Sequence, residues 1–406
     1  MTSRGIAGAR VLELGGYLAG PFATLILANL GANVIKVESL RGDEIRHLGP
    51  PTGFAVNRGK RSLSLDLKTA RGKQLFERLL RSSDVVIQNL TRRATRDLGI
   101  TYEECRSIEP KIVYCHITAF GPGPSAEAGG TNPLIEALVG TMAASTRDGE
   151  TPTRMGASYF DQMAGALAAI GVLTALAKED NSKASKYVEV GLFETGVFLS
   201  AGSIVEQQIT GMNPERSIGS SNMAYESLQA SDGRWIFCGA VSEALWRKFC
   251  QAMDLTEFIT NPDFATRKKL EEKAAYVKER IRERCASMPS SEMLTRLRNY
   301  GVPCAPVNDY AAVLREEQLS VPGKLVEIHV GSRMLATPGF PITSGLSNVD
   351  LGPEVPALGE HSMEIVQSLG YDTDEVLELV RLGVMRLPTR ASPILTQADD
   401  EVAPRR

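Results

Sequence analysis

The chain has 406 residues, of which 43% are hydrophobic and 23% charged, with a formal net charge of −3. That length exceeds one ordinary hydrophobic core, so two domains are expected, and the composition is that of a globular protein. The near-neutral balance excludes a polyelectrolyte partner such as nucleic acid, which calls for a basic face.

Residues 10–38 read strand, helix, strand. Arg10-Val11-Leu12-Glu13-Leu14 is a short β-prone run broken by Gly15-Gly16. Pro21 opens a helix through Leu30, Gly31 stops it, and Asn33 to Glu38 is a second strand. This βαβ unit predicts a parallel sheet. Strands follow at Ser62–Leu67, Asp84–Asn89 and Lys111–Ile117, with a helix from Thr69 to Leu80. The N-terminal part is thus a doubly wound, Rossmann-like α/β domain, whose ligands bind beyond the carboxyl ends of the strands. A loop rich in Gly and Pro, Ala119 to Gly130, stands where a substrate loop would sit.

Asp161 lies directly before an uncharged run of 16 residues, Gln162 to Ala177. The run is short for a bilayer and reads as a buried helix, so no membrane association is expected. A strand at Lys186–Val190 and an apolar helix from Leu192 come next, and residues 215–224 read as a linker. Trp235 to Val241 begins a smaller α+β domain with charged helices to about 300. The tail after Pro388 is expected to fray. No internal repeat is present. The domain reading is therefore 1–214 with 326–406 as a large discontinuous domain and 215–325 as the small one.

Six cysteines, at 105, 115, 238, 250, 285 and 304, form no C-x-x-C pair and do not group with the four histidines. No metal or disulfide framework is expected, and a reducing cytoplasm fits. Met1 to Gly5 offers no apolar h-region, so secretion is not expected.

Three motifs bear on chemistry. Gly15, Gly16 and Gly20 follow a strand, but their G-G-x-x-x-G spacing departs from the G-x-G-x-x-G dinucleotide fingerprint, and Glu38 alone does not restore it. A basic set, Arg41, Arg46, Lys60, Arg61, Lys68, Arg92, Arg93 and Arg96, falls near strand ends, where it fits an acidic ligand bearing phosphates. Asp161 reads as an N-cap, a reading compatible with a nucleophile. A helix N-terminus would keep its carboxylate ionised and able to attack a thioester carbonyl. No G-x-S-x-G elbow supports a serine triad, and His47, His116, His329, His361, Cys115 and Cys304 lack a catalytic context.

Five segments in order carry a resemblance over nearly the whole chain: Gly20-Pro21 with Leu30–Glu38, Gly59–Lys68, Asp84-Val85 with Asn89-Leu90, Asp161 with Gly165 and Gly171–Leu173, and Ala357–His361. Together they resemble the class III coenzyme A transferases, the group of formyl-CoA and carnitine CoA-transferases that also holds 2-methylacyl-CoA racemases. The resemblance implies a Rossmann-like large domain that holds CoA, a small domain from mid-chain, and an interlocked homodimer. It implies an acyl-CoA:carboxylate CoA-transferase, with succinate a candidate dicarboxylic acid. CoA and its acyl thioesters are substrates and no permanent cofactor is implied.

In that mechanism Asp161 attacks the thioester, an aspartyl anhydride forms, and the returning thiolate gives an aspartyl-CoA thioester. By position, Leu18 and Ala19 match CoA-contacting sites of the family. So do Leu65, Asp66, Leu67 and Lys68 toward adenine, and Asn89, Leu90, Thr91 and Arg92 near the pantetheine and phosphates; Arg96 and Asn132 join this set. Departures are also informative. Leu18 stands where formyl-CoA transferases carry Gln, Ser39 where they carry Arg, and Gly219-Ser220-Ser221-Asn222 where they carry a glycine run, which argues against oxalate or formate. Thr131-Asn132 stands where racemases carry His-Asp, and neither residue can act as a second base. A racemase or isomerase, and a non-catalytic CoA-binding partner subunit, remain the alternatives.

Overall fold

The computed structural model describes residues 6–47, 51–146, 149–178, 186–213, 224–330, 333–342 and 351–388. Met1–Gly5, the linker at 215–224 apart from Ala224, the segment Gly219–Asn222 and the tail beyond Pro388 lie outside the described residues. The chain divides into two compact units. One comprises Met1–Ala143, Pro152–Gln208 and Ser320–Arg406, the other Ala144–Thr151 and Ile209–Leu319.

The first unit is built on strands β1 (Arg10–Leu14), β2 (Asn33–Glu38), β3 (Arg61–Leu65), β4 (Val85–Gln88), β5 (Val113–Thr118) and β6 (Tyr187–Gly191). With the late strand β12 (Met385–Arg386) they form one seven-stranded sheet in the order β12-β3-β2-β1-β4-β5-β6. The first six are parallel and β12 runs antiparallel to β3. The strand order reverses between β1 and β4, which defines the switch point of a doubly wound sheet.

Both faces of the sheet are covered, which is why its strands read as apolar runs. Successive side chains alternate between the faces. Leu12, Ile35, Val86 and Tyr114 enter one core, while Val11, Val34, Val85, Ile87, Val113 and Cys115 enter the other. Helices α1 (Ala19–Asn29), α2 (Asn132–Leu138), α3 (Tyr159–Ala177), α4 (Leu192–Leu199) and α5 (Ala201–Thr210) are needed below. α1 begins at Ala19, with Pro21 already in its first turn, where its missing N–H leaves no bond unmade.

α3 has 19 residues, and by length and composition alone it could cross a membrane. It packs instead on α1, β5 and β6. Gly165 makes the α1 contact possible: a Cβ there would lie 2.6 Å from the Ala19 carbonyl oxygen. The Ala- and Gly-rich composition of α3 thus reflects close helix packing, and Ala164, Ala168 and Val172 are fully buried.

The second unit holds an antiparallel sheet of β7 (Tyr225–Gln229), β8 (Trp235–Gly239) and β9 (Cys304–Pro306). Helices Glu243–Ala252, Ala274–Ala286 and Ser290–Asn299 enclose its own core of Ile236, Phe249, Phe258, Ile281 and Leu297. A two-stranded ribbon, β10 (Leu325–Val330) and β11 (Arg333–Pro338), belongs to the first unit.

Candidate active site

The switch point is closed by two loops that hold each other. Asn89, after β4, accepts the Gly16 N–H at 3.0 Å and donates to the Gly16 carbonyl at 2.8 Å. Gly15 has φ +105, and a Cβ there would stand 2.0 Å from Asn89 Oδ1. The glycines after β1 therefore admit a side chain from the neighbouring strand. Asn89, expected at the ligand, has its amide engaged in this loop pairing.

Tyr17 follows in the left-handed region at φ +60, a costly conformation for a non-glycine residue. Asp43 Oδ1 holds it there by accepting the Tyr17 N–H at 3.0 Å. Asp43 in turn pairs with Lys36 at 2.9 Å, and both side chains are fully buried. Lys36 and Lys60 both donate to the buried Glu13, Lys60 at 2.7 Å, and Lys60 also reaches the Pro21 carbonyl at 2.8 Å. A charged network inside the sheet end thus fixes the turn that carries Leu18 and Ala19, both buried at the start of α1. Burial pushes the Glu13 carboxyl up, but the two ammonium groups outweigh it and hold the group at about 2.

Most of the basic set is engaged in ion pairs. Arg46 pairs with Glu38, Lys60 with Glu13, Arg61 with Glu364, Arg92 with Glu189, Arg93 with Asp97 and Arg96 with Glu127. Among the described residues only Arg41 and Lys68 of the eight carry no ion pair. Lys60 is interior, and burial lowers its ammonium to about 8. Arg92 and Arg96 tie the β4 loop to the Gly- and Pro-rich loop: Arg92 Nε donates to the Ala126 carbonyl at 3.1 Å, and Arg96 grips Glu127 at 2.8 and 3.0 Å. Thr91 caps the helix Arg92–Leu98 by accepting the Ala94 N–H, and Leu90 accepts from His116 Nε2 at 2.9 Å. Burial holds the His116 imidazole below its usual range, favouring the neutral ring.

The Leu65–Lys68 segment lies two strands away, at the end of β3. Leu65 pairs with Met385 of β12, and the Asp66 N–H donates to the Val384 carbonyl at 2.8 Å. Asp66 Oδ1 accepts the Lys68 N–H at 3.0 Å, while Leu65 and Leu67 are buried and Lys68 is exposed. The backbone donor of Asp66, expected to face adenine, is thus engaged with the C-terminal strand.

Asp161 is not the N-cap of α3. Ser158 holds that position without a side-chain bond, and Asp161 is the third helical residue. The cap comes from Asn132 at the start of α2. Its Oδ1 accepts the N–H groups of Phe160 at 3.0 Å and Asp161 at 3.4 Å. Asn132 Nδ2 donates to Glu136 Oε1, and Glu136 Oε2 accepts the Met155 N–H at 2.8 Å. Asn132 and Glu136 are both buried. Asn132, grouped with the cofactor positions in the sequence, is an interior residue that caps α3, and Glu136 was missed. The signal was available in part: an Asn and a Glu four residues apart, after Thr131 and around Pro133, share one face of a short helix.

The Asp161 carboxylate has no hydrogen bond or ion pair among the described residues. Burial raises its pKa from the ordinary value of 3.8 to about 6, the opposite of the expected helix-terminus effect. The local donors that would favour the anion point at Asn132 instead. Gly165, which packs on Ala19, lies one turn after Asp161 on α3. The cysteines fit no nucleophilic role, since burial pushes Cys105, Cys115, Cys238 and Cys285 up to about 12.

A desolvated carboxylate without a counter-cation is suited to attack on an acyl carbon, the chemistry of covalent acyl-group transfer. Residues 6–362 match the model of CoA-transferase family III, and the chain belongs to that family. It is an enzyme, a class III CoA-transferase. It is 30% identical over 400 residues to a succinyl-CoA–D-citramalate CoA-transferase of Chloroflexus aurantiacus, covering 93% of this chain and 97% of that one. It is 29% identical over 384 residues to a succinate–glutarate CoA-transferase of Agrobacterium fabrum, covering 90% and 95%. Among solved structures, a CAIB/BAIF family protein from Brucella suis superposes with a TM-score of 0.82 at 28% identity, covering 91% of this chain and all of that one.

Proposed function

We propose that the protein moves CoA between carboxylic acids through covalent intermediates on Asp161. The observation that carries this reading is the half-buried, unpartnered carboxylate at the start of α3, ionised at neutral pH yet poorly solvated. A carboxylate oxygen of Asp161 attacks the thioester carbonyl carbon. The C–S bond breaks, and CoA leaves as the thiolate, giving a mixed anhydride. The thiolate attacks the aspartyl carbonyl of that anhydride, which frees the donor acid and leaves an aspartyl-CoA thioester. The acceptor carboxylate attacks this thioester and forms a second anhydride. The thiolate then takes the acceptor acyl group and restores Asp161. No water or oxidant enters, and the thioester bond energy is conserved.

Dicarboxylic acids are the favoured substrates, with succinyl-CoA as donor. The named activities of the two relatives support that class, and the exposed Arg154, seven residues before Asp161, offers a partner for a second carboxylate. Arg154→Ala should raise the acceptor KM about tenfold for a dicarboxylate and leave a monocarboxylate unaffected; an unchanged dicarboxylate KM would remove Arg154 from the reading. Racemisation is disfavoured because Asn132, at the place of a second base, has its amide engaged with α3 and Glu136. A homodimer is also proposed. All ten residues of α5 are exposed, among them Ile204, Val205 and Ile209, and Phe198 of α4 is exposed beside them. Sedimentation as a monomer at micromolar concentration would reject it.

The test of the covalent route is incubation with succinyl-CoA, trapping with hydroxylamine and peptide mapping. Modification at Asp161 that disappears in Asp161→Asn is expected. No adduct from succinyl-CoA or a small donor panel would count against the route. Solvent deuterium entering the α-carbon of a 2-methylacyl-CoA would instead identify a racemase.

A further inference from the structure

The N-terminal turn of α3 is capped from another helix, and this has a chemical consequence for its aspartate. In an ordinary helix start, the N–H groups of the second and third residues turn to the N-cap side chain or to a nearby acid. Here the cap residue Ser158 offers no side-chain bond, and the acid in the first turn is Asp161 itself. Without another acceptor, the freed N–H groups of Phe160 and Asp161 would turn to the Asp161 carboxylate. Asn132 Oδ1 takes both. Asn132 cannot swing away, because Nδ2 is held by Glu136, and Glu136 is fixed in turn by the Met155 N–H.

We propose that Asn132 and Glu136 are positioning residues that keep the backbone donors of α3 off the Asp161 carboxylate, preserving its aim and its nucleophilicity. The inference rests on Asp161 as the nucleophile. The pair bridges the segment before the helix, at Met155, and its first turn, so one buried unit holds the chain leading into Asp161 at two points. Other titratable groups facing α3 are few. α1 carries none, β5 contributes the neutral Cys115 thiol, and β6 contributes only Val188 and Val190. α4 contributes Glu194, which accepts the Gly121 N–H at 2.9 Å. Glu136 is therefore the other acid nearest in the bonded chain to the α3 terminus.

The experiment compares full-length wild type with Asn132→Ala, Asn132→Asp and Glu136→Gln, using succinyl-CoA and a dicarboxylate acceptor. Asn132→Ala should lower kcat about 10- to 100-fold, the scale expected for misplacing a reacting group, with the acyl-CoA KM within about threefold of wild type. Its acid limb in the kcat/KM profile should move to lower pH, because freed N–H groups now stabilise the carboxylate. Asn132→Asp should recover most of the rate and return the limb toward wild type. Its oxygen still accepts from α3, and a proton shared with Glu136 replaces the amide donor. Glu136→Gln should show a smaller loss in kcat at unchanged KM, and it carries the test if Asn132→Ala does not fold.

A wild-type acid limb and kcat in folded Asn132→Ala would overturn the proposal and reduce the pair to a structural cap. So would a loss not recovered by Asn132→Asp. Hydroxylamine trapping on the wild type separates the two levels. A labelled Asp161 with unaffected variants defeats this inference alone, whereas an unlabelled wild type defeats the nucleophile reading beneath it.

Discussion

Two acids of the first unit, one buried and one half-buried, both lose water and respond in opposite ways. Glu13 receives the ammonium groups of Lys36 and Lys60 at 2.5 and 2.7 Å, and its carboxyl is held at about 2. Asp161 receives no cation, and burial alone lifts it to about 6. Desolvation acts with one sign on both; the presence or absence of a paired charge decides the outcome. One acid serves as the anchor of a turn, and the other is the proposed nucleophile.

The largest expected effect breaks the comparison on the reactive side. Asp161→Asn should lower turnover about 10⁴-fold or more, as loss of a covalent nucleophile does, measured by the succinyl-CoA exchange rate. Next comes the anchor. Glu13→Ala leaves two interior ammonium groups without their carboxylate and should cost about 3–5 kcal/mol in urea unfolding, with Asp43 alone left to hold Lys36. Gly165→Ala tests the distance between the two regions. Its Cβ meets the Ala19 carbonyl at 2.6 Å, so α3 must move away from α1, at about 1–3 kcal/mol and with a fall in kcat.

The smallest effects are in pH. Activity should fall as pH drops through about 6, where Asp161 gains its proton. Stability runs the other way for this group. Its folded pKa is raised from 3.8 to about 6, so the folded state binds more protons in that window, and ionisation above it is destabilising. Asp161→Asn should therefore be more stable than wild type at pH 7 by about 1–2 kcal/mol, allowing for partial exposure, and equal to it near pH 3. Glu13 has the opposite sign: its contribution is complete above the ordinary carboxylate range and disappears as pH falls toward about 2.

The fold was legible where local pattern and tertiary structure agree. Strands such as Arg10–Leu14 and Asn33–Glu38 are found at the bounds read from the sequence, because an apolar run between glycines leaves few other options. The aspartate at the start of the long apolar helix was legible for the same reason. Its pairing was not. A cap supplied by Asn132, 29 residues earlier, is invisible to a reading that seeks caps beside the helix. The partners of the basic residues were hidden for a related reason. Position near a strand end does not reveal whether a carboxylate such as Glu13, Glu189 or Glu127 reaches the cation first. Even the glycines after β1 make room for side chains of the protein itself, Gly15 and Gly20 for Asn89 and Gly16 for Asp43.

The strand β12 has a consequence for how the chain is made. Met385 completes the sheet beside Leu65, about 320 residues earlier, and His361 and Ser362 bind the backbone of the same strand β3. At about 5–20 residues per second of synthesis, the β3 edge stands open for roughly 15–60 s while the whole second unit emerges from the ribosome. During that interval Arg61–Leu65 presents unpaired backbone groups to other nascent chains. Folding of the first unit therefore waits for Met385 and Arg386, and removing them should show first as aggregation during expression.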